Sequence, residues 1–132
     1  MKKLIILLFI GFISTPVFAQ QETKTFAKAS WDKTTQNFGK IAYDQPVTAC
    51  FTVTNIGSIP LQILGVQYVC NCTVPEWPAK GILPGSTGTI KVIYDAKIIG
   101  MFNKVVKVTM NTETGIEELT LTGTVIEKAT SK

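Results

Sequence analysis

The three cysteines are the residues of this chain whose type and spacing could do chemistry. One residue separates Cys70 from Cys72, and Cys50 lies 20 residues before Cys70. An odd number of cysteines leaves at least one thiol unpaired unless it bonds another molecule. A bridge between Cys70 and Cys72 would close a very small ring, which conflicts with the preferred disulfide geometry. Cys50 is predicted to point away from the core. It could reach Cys70 or Cys72 if the segment that contains them runs beside the strand of Cys50.

Three interpretations of Cys50, Cys70 and Cys72 remain open from the residues alone. The first is a structural disulfide plus a spare thiol. A bridge from Cys50 would close a loop of about 20 residues and stabilise the fold by about 2–4 kcal/mol. The second is a redox pair in which Cys50 is the resolving thiol. The third is a soft-metal site for Cu(I) or Zn(II) that uses two or three thiolates. We favour the first, and expect no metal and no cofactor.

The chain contains no histidine and no arginine, and these absences exclude several classes of site. Without histidine there is no Ser-His or Cys-His nucleophile pair and no imidazole ligand or base. A closed four-ligand zinc site would need a carboxylate or a second chain. Lack of arginine removes the side chain best suited to bidentate phosphate recognition. Glu76 and Asp95 are the carboxylates that could act as a glycosidase-like pair, but no cleft is predicted between them. We therefore expect a protein that is not an enzyme.

A tryptophan lies between two prolines in Pro75-Glu76-Trp77-Pro78. The prolines stiffen what is predicted to be a loop, and an aromatic side chain there is a candidate partner-binding anchor. The alternative is that Trp77 closes one end of the hydrophobic core. Trp31 is predicted to belong to the core.

The first 19 residues have the pattern of a secretory signal peptide. Lys2 and Lys3 precede an apolar run from Leu4 to Ile13, and small or neutral residues end at Ala19. The run is too short to cross ~30 Å of hydrocarbon comfortably. We therefore expect export to a periplasm or beyond the cell, and no membrane span in the mature chain.

Removal of residues 1–19 leaves 11 lysines against nine acidic residues, a net charge of +2 instead of +4. The remaining lysines are scattered and form no basic cluster. We therefore expect no nucleic-acid partner.

The remaining chain is predicted to be a string of short strands. Apolar and polar residues alternate with period two in several segments, such as 47–54, and turn residues separate them. About seven strands fit within residues 26–127, between polar tails at 20–25 and 128–132. A shift of apolar parity near Gly65 predicts a β-bulge. This pattern favours an all-β fold, an antiparallel β-sandwich, with a small barrel as the alternative.

A set of motifs in the middle of the chain resembles a known family. They include Cys70-Asn71-Cys72-Thr73, Trp77-Pro78, Leu83-Pro84-Gly85 and Gly100-Met101-Phe102. In their order and spacing they resemble the bacterial family called domain of unknown function 1573, over residues 30–125. The resemblance implies an exported immunoglobulin-like β-sandwich of a type common in Bacteroidetes, and no established activity.

These observations predict a non-enzymatic exported module with a protein-binding or structural role in the cell envelope. Its partners would be envelope or secreted proteins that bind an exposed strand edge. The short N-terminal strands or the final strand are the predicted surfaces, with the segment from Cys70 to Trp77 as a second patch. The alternative is a periplasmic thiol redox or soft-metal protein that uses Cys70 and Cys72.

Overall fold

The computed structural model describes residues 10–20 and 23–128. Within these residues the chain forms eight β-strands and no helix. The strands are β1 (Ala29–Trp31), β2 (Thr35–Ala42), β3 (Val47–Asn55), β4 (Ile63–Tyr68), β5 (Thr73–Glu76), β6 (Thr87–Tyr94), β7 (Gly100–Met110) and β8 (Ile116–Ile126). The predicted all-β class is confirmed. In the described residues no helix is long and apolar enough to cross a membrane.

The strands form two four-stranded sheets that pack face to face. The first sheet has the order β1-β3-β6-β5, and the second has the order β2-β8-β7-β4. All of these neighbours are antiparallel except β2 and β8, which are parallel. The predicted sandwich is therefore confirmed, and the expectation of uniformly antiparallel sheets is wrong at this one pair.

Period-two alternation places the apolar side chains between the sheets, as β3 illustrates. Ala49, Phe51 and Val53 are buried, whereas Thr48 and Cys50 face solvent. Successive strand residues point to opposite faces, so alternation in the sequence translates directly into one buried face. Each large apolar side chain buried in this way contributes roughly 1.5–3 kcal/mol to folding.

One of the eight strands was not predicted from the sequence. Thr73–Glu76 was predicted to be part of a loop, but it forms β5 at the edge of the first sheet, paired with β6. The segment is short and contains Pro75, which lacks a backbone N–H and is tolerated mainly at sheet edges. Thr73 and Pro75 face the core, and Val74 and Glu76 face outward. The strand count is thus eight, close to the predicted seven.

The β-bulge predicted near Gly65 is present. The register of β4 against β7 shifts between Ile63 and Gly65. Ile63 therefore pairs with Met110 on the inward side, while Leu64 is left exposed. The bulge lets an apolar run of mixed parity belong to a single edge strand.

A buried asparagine fixes the turn between β3 and β4. The Asn55 side chain is fully buried, and its Nδ2 donates to the carbonyl oxygens of Ile59 at 2.7 Å and Ile82 at 2.8 Å. Its Oδ1 accepts from the Gly57 N–H at 3.0 Å. All the polar atoms of this amide are therefore used, which is what makes its burial tolerable.

The described part of the predicted signal peptide makes no contribution to the core. Residues 10–20 contain no strand or helix, and their large apolar side chains are exposed. These side chains are Ile10, Phe12, Ile13, Val17 and Phe18. Residues 1–9, 21–22 and 129–132 lie outside the described residues, so the predicted n-region and most of the predicted C-terminal tail do too.

Candidate functional site

Cys70 and Cys72 form a disulfide at the corner where the chain passes from the second sheet to the first. This corner joins the end of β4 to the start of β5, and the two Cα atoms lie 5.2 Å apart. That separation is within the usual range for a disulfide. The expected conflict with disulfide geometry therefore does not prevent the pairing of two cysteines one residue apart.

Cys50 takes no part in this bridge. It is a free, exposed cysteine on the outer face of the first sheet, opposite Lys91. Lys91 in turn pairs with Glu76, so Cys50 and the corner are on different parts of the sheet. The favoured disulfide plus spare thiol is present, but the expected 20-residue loop closed by Cys50 is wrong, because β3 and the corner do not run alongside one another.

The position of the bridge changes its energetic meaning. In the chain-entropy account, a loop of about 20 residues stabilises the fold by about 3.3 kcal/mol, whereas a three-residue loop contributes only about 1.6 kcal/mol. The Cys70–Cys72 bridge constrains a corner and removes little freedom from the unfolded chain. Stability alone is thus a weak reason for its presence.

Backbone hydrogen bonds hold the corner on both sides. The Thr73 N–H donates to the Cys70 carbonyl at 3.3 Å, and the Asp95 N–H donates to the Cys72 carbonyl at 3.0 Å. The Thr73 side chain is almost wholly buried, and its hydroxyl oxygen lies 3.8 Å from each sulfur. A hydroxyl at this distance can donate a weak hydrogen bond to whichever sulfur carries more negative charge.

A small cavity of about 160 Å³ opens beside the disulfide. Its lining combines the corner with the middle of β7: Val69, Cys70, Thr73, Asn103, Lys104 and Val105. Cys72 does not line it and instead packs against the hydrophobic core. The two sulfurs are therefore unequal, because Cys70 belongs to the cavity wall and Cys72 to the core boundary.

Lys104 brings a positive charge to this cavity from inside the sandwich. It lies between Phe102 and Val106 on β7 and pairs with Leu121, all three of which are buried. Its Nζ lies 6.0 Å from the centroid of the Tyr94 ring, within reach of a cation–π interaction. The sequence signal for this residue is the break that it makes in the alternation of apolar residues along β7.

The charge of Lys104 is not neutralised by a carboxylate in the described part of the chain. The ion pair found there joins Lys107 to Glu118 at 3.8 Å, on the outer face of the second sheet. The hydroxyl of Tyr94, whose ring lies near Lys104, stays neutral at neutral pH. Burial, and to a smaller extent the negative charge of Asp95, raise its pKa above the usual 10.0. An unpaired cation next to a disulfide favours a thiolate when the bridge is opened.

The three thiolates proposed for a soft metal are not brought together. Among residues 10–20 and 23–128, no group of three or more cysteine or carboxylate side chains is placed to hold a metal ion. A site for Cu(I) would have only Cys70 and Cys72, in their reduced form.

Trp77 follows β5 directly and is 39% exposed. This is intermediate between the two predicted roles, since an anchor should be exposed and a core residue buried. Trp31 packs against the core, as predicted. Trp77 therefore stays a candidate for partner binding, and it lies at the opposite end of β5 from the disulfide.

The sandwich has four edge strands, and they differ in how well they are protected. β1 has only three residues, β5 contains Pro75, and β2 has a register irregularity between Asn37 and Lys40. Short strands, prolines and bulges all hinder pairing with another chain. The final strand, β8, lies between β2 and β7, so the prediction that it offers an edge is wrong.

The β4 edge is the least protected of the four. After its bulge it runs regularly from Gly65 to Tyr68, with no charge and no proline. Leu64, Tyr68 and Val69 are exposed along it by 62%, 46% and 88%. A cavity of about 470 Å³, lined by Gln67, Tyr68, Val69, Val105 and Lys107, continues this surface onto the outer face of β7.

Solved structures share this fold at low sequence identity. A protein of unknown function from Porphyromonas gingivalis W83 matches with a TM-score of 0.69 at 12% identity, over 82% of this chain and 51% of its own. The ASH/PapD-like domain of human CEP192 matches with a TM-score of 0.60 at 11% identity, over 89% of this chain and 97% of its own. Vibrio cholerae VesB protease matches with a TM-score of 0.59 at 16% identity, over 74% of this chain and 31% of its own.

These similarities show the fold alone. They confirm the predicted immunoglobulin-like β-sandwich. The chain spans about half the length of the P. gingivalis protein. No curated protein matches the sequence.

The family resemblance seen in the motifs is confirmed by a family model that matches residues 29–125. The match includes the corner, the cavity beside it and the whole of β4. The chain belongs to the family described as protein of unknown function (DUF1573).

Proposed function

We propose that this chain is a non-enzymatic, exported β-sandwich module that binds an extended segment of another protein along the β4 edge. The observation that carries the proposal is the contrast between β4 and the other three edges. Beyond its bulge, from Gly65 to Tyr68, β4 has a regular, uncharged backbone, and Leu64, Tyr68 and Val69 expose apolar side chains along it. An added strand gains main-chain hydrogen bonds from such an edge, and neighbouring pockets select its side chains.

The chemistry of the surface specifies the occupant as an apolar extended segment of an envelope or secreted protein. Three exposed apolar side chains in six consecutive residues exceed the scattered exposure that is normal on a monomer's surface. The cavity lined by Tyr68, Val69 and Val105 would take one apolar side chain of the partner strand. Lys107 at its rim would favour a neighbouring carboxylate.

Export is supported by the first residues of the chain. The apolar side chains at 10–18 are exposed and make no contribution to the core, so their removal would leave the sandwich intact. Detection of a mature N-terminus near residue 20 in the envelope or medium would support this part of the proposal. A protein retained in the cytoplasm with residues 1–19 attached would contradict it.

Binding at β4 can be tested with a photo-crosslinking residue in place of Gln67, which pairs with Lys107 and so points outward. The crosslinked segment of the partner is identified and made as a synthetic peptide. We expect the peptide to shift the amide resonances of Gly65–Tyr68, and the double variant Leu64→Lys, Val69→Lys to bind it at least tenfold more weakly.

The matched control replaces two apolar residues that are comparably exposed but lie outside β4 and the cavity beside it, Ile98→Lys and Met101→Lys. These should leave peptide affinity unchanged. Loss of binding in the control with retention in the β4 variant would overturn the proposal. So would resonance shifts confined to β1 or β2.

A further inference from the structure

We propose that the Cys70–Cys72 disulfide, with Lys104 beside it, is a thiol–disulfide exchange centre that accepts two electrons from a dithiol of another molecule. The inference goes beyond strand binding and rests on different residues. It draws on three features of the corner: the inequality of the two sulfurs, the buried Thr73 hydroxyl, and an inward-facing cation without a carboxylate partner in the described chain.

The cavity determines which sulfur is attacked. Cys70 lines the cavity of about 160 Å³, whereas Cys72 packs against the core. An incoming thiolate therefore reaches Cys70. Thiol–disulfide exchange is directional in this sense, since its rate depends on which sulfur is accessible and which leaves.

The first step forms a mixed disulfide. The thiolate of the incoming dithiol attacks the Cys70 Sγ, a new sulfur–sulfur bond forms, and the Cys70–Cys72 bond breaks. The electron pair of that bond leaves on the Cys72 Sγ, which lies 3.8 Å from the Thr73 hydroxyl oxygen. The hydroxyl can donate to this sulfur, and the thiolate then takes a proton from solvent.

The second step releases the product. The second thiolate of the same dithiol attacks its own partner sulfur in the mixed disulfide, and the electron pair leaves on the Cys70 Sγ. The substrate departs as a disulfide, and the protein holds two cysteines, having gained two electrons and two protons. Lys104 favours the thiolate of Cys70 at this point, because this cationic residue lines the same cavity as Cys70.

Lys104 is thus a positioning charge and not a reacting group. Its place is fixed by β7, whose flanking residues Phe102 and Val106 are buried, and by the Tyr94 ring beneath it. A cation held there stabilises the reduced pair over the disulfide, which makes the bridge a stronger oxidant. Lys107 on the same strand faces outward toward Glu118 and provides a matched control.

The test measures the equilibrium between disulfide and dithiol in glutathione buffers, in proteins that all carry Cys50→Ser so that only the pair reacts. Alkylation and mass spectrometry count the reduced cysteines. We expect Lys104→Gln to shift the ratio about fivefold toward the disulfide and to slow alkylation of the reduced pair. Lys107→Gln should change neither by more than about twofold, and Lys104→Arg should restore the parent behaviour.

Three results would overturn the proposal. The first is a ratio of disulfide to dithiol that stays above about 1,000 in the glutathione buffers, which is the behaviour of a structural bridge. The second is an equal shift in Lys104→Gln and Lys107→Gln. The third is loss of the β-sheet circular dichroism spectrum on reduction, which would show that the bridge is needed for the fold. A purely structural role of Lys104 would lower stability without moving the redox ratio.

Discussion

The ring of Phe102 lies directly over Gly123, its partner on the neighbouring strand β8. A Cβ atom placed on Gly123 would come within 2.7 Å of the ring and 2.9 Å of the Gly39 carbonyl oxygen. The same ring stacks on Tyr94, with centroids 4.4 Å apart. The absence of a side chain at Gly123 therefore lets an aromatic pair fill the space between the two sheets.

Gly123→Ala should consequently destabilise the fold by about 2 kcal/mol, as overpacking of a tight core does. Gly65→Ala is the matched control, because a Cβ there meets nothing within 4 Å. Urea unfolding followed by circular dichroism measures both. Equal midpoints for the two variants would show that the Phe102 ring moves aside without cost.

Asn55→Ala should destabilise the fold by about 3 kcal/mol. The substitution removes three hydrogen bonds and leaves the part-buried carbonyl of Ile59 and the buried carbonyl of Ile82 without that donor. Asn37→Ala is a suitable comparison, because the exposed Asn37 accepts from the Gly39 N–H in a similar local turn. We expect a loss below about 1 kcal/mol there, and similar losses in both variants would contradict the argument from burial.

Stability should fall at alkaline pH in a way that depends on Tyr94. The pKa of Tyr94 is raised in the folded protein by burial and by Asp95, so the unfolded chain loses this proton first as the pH rises above 10.0. The contribution is intact below pH 10 and declines above it, with a slope of at most about 1.4 kcal/mol per pH unit.

Tyr94→Phe removes that ionisation and keeps the ring beneath Lys104. The difference in unfolding free energy between the parent and this variant should be constant from pH 7 to 9 and change between pH 10 and 11. Parallel curves over the whole range would show that Tyr94 titrates equally in both states.

Replacement of both Cys70 and Cys72 by Ser should cost about 1.6 kcal/mol, because the closed loop has only three residues. Cys50→Ser, on the exposed face of β3, should leave the unfolding midpoint within error. A loss of 3 kcal/mol or more in the double variant would mean that the corner depends on the bridge much more than its loop length implies.

The sequence was informative where side-chain alternation decides the structure. The faces of β3 and the bulge at Gly65 followed from apolar parity alone, because a one-residue slip would expose the core. β5 was missed since four residues including Pro75 give too little alternation to detect. The order of strands in the sheets, and with it the parallel pairing of β2, depends on contacts distant in sequence.

The candidate site was only half visible in the sequence. Cys70 and Cys72 stood out by type and spacing, but their pairing depends on the shape of the corner between β4 and β5. Lys104 was noticeable only as an exception within β7. Its position beside Cys70 arises from packing between strands that are more than 30 residues apart, which no local pattern reports.

The parallel pairing of β2 with β8 has a consequence for how the polypeptide acquires its structure. β2 and the last strand, β8, belong to the same sheet, so β2 gains its hydrogen-bonded neighbour only when the 11 residues of β8 are present. During synthesis, which proceeds from the N-terminus, the second sheet can therefore be completed only after β8 has emerged. A product truncated before β8 would leave β2 and β7 without their shared neighbour, and chaperones and proteases can detect such unpaired strands.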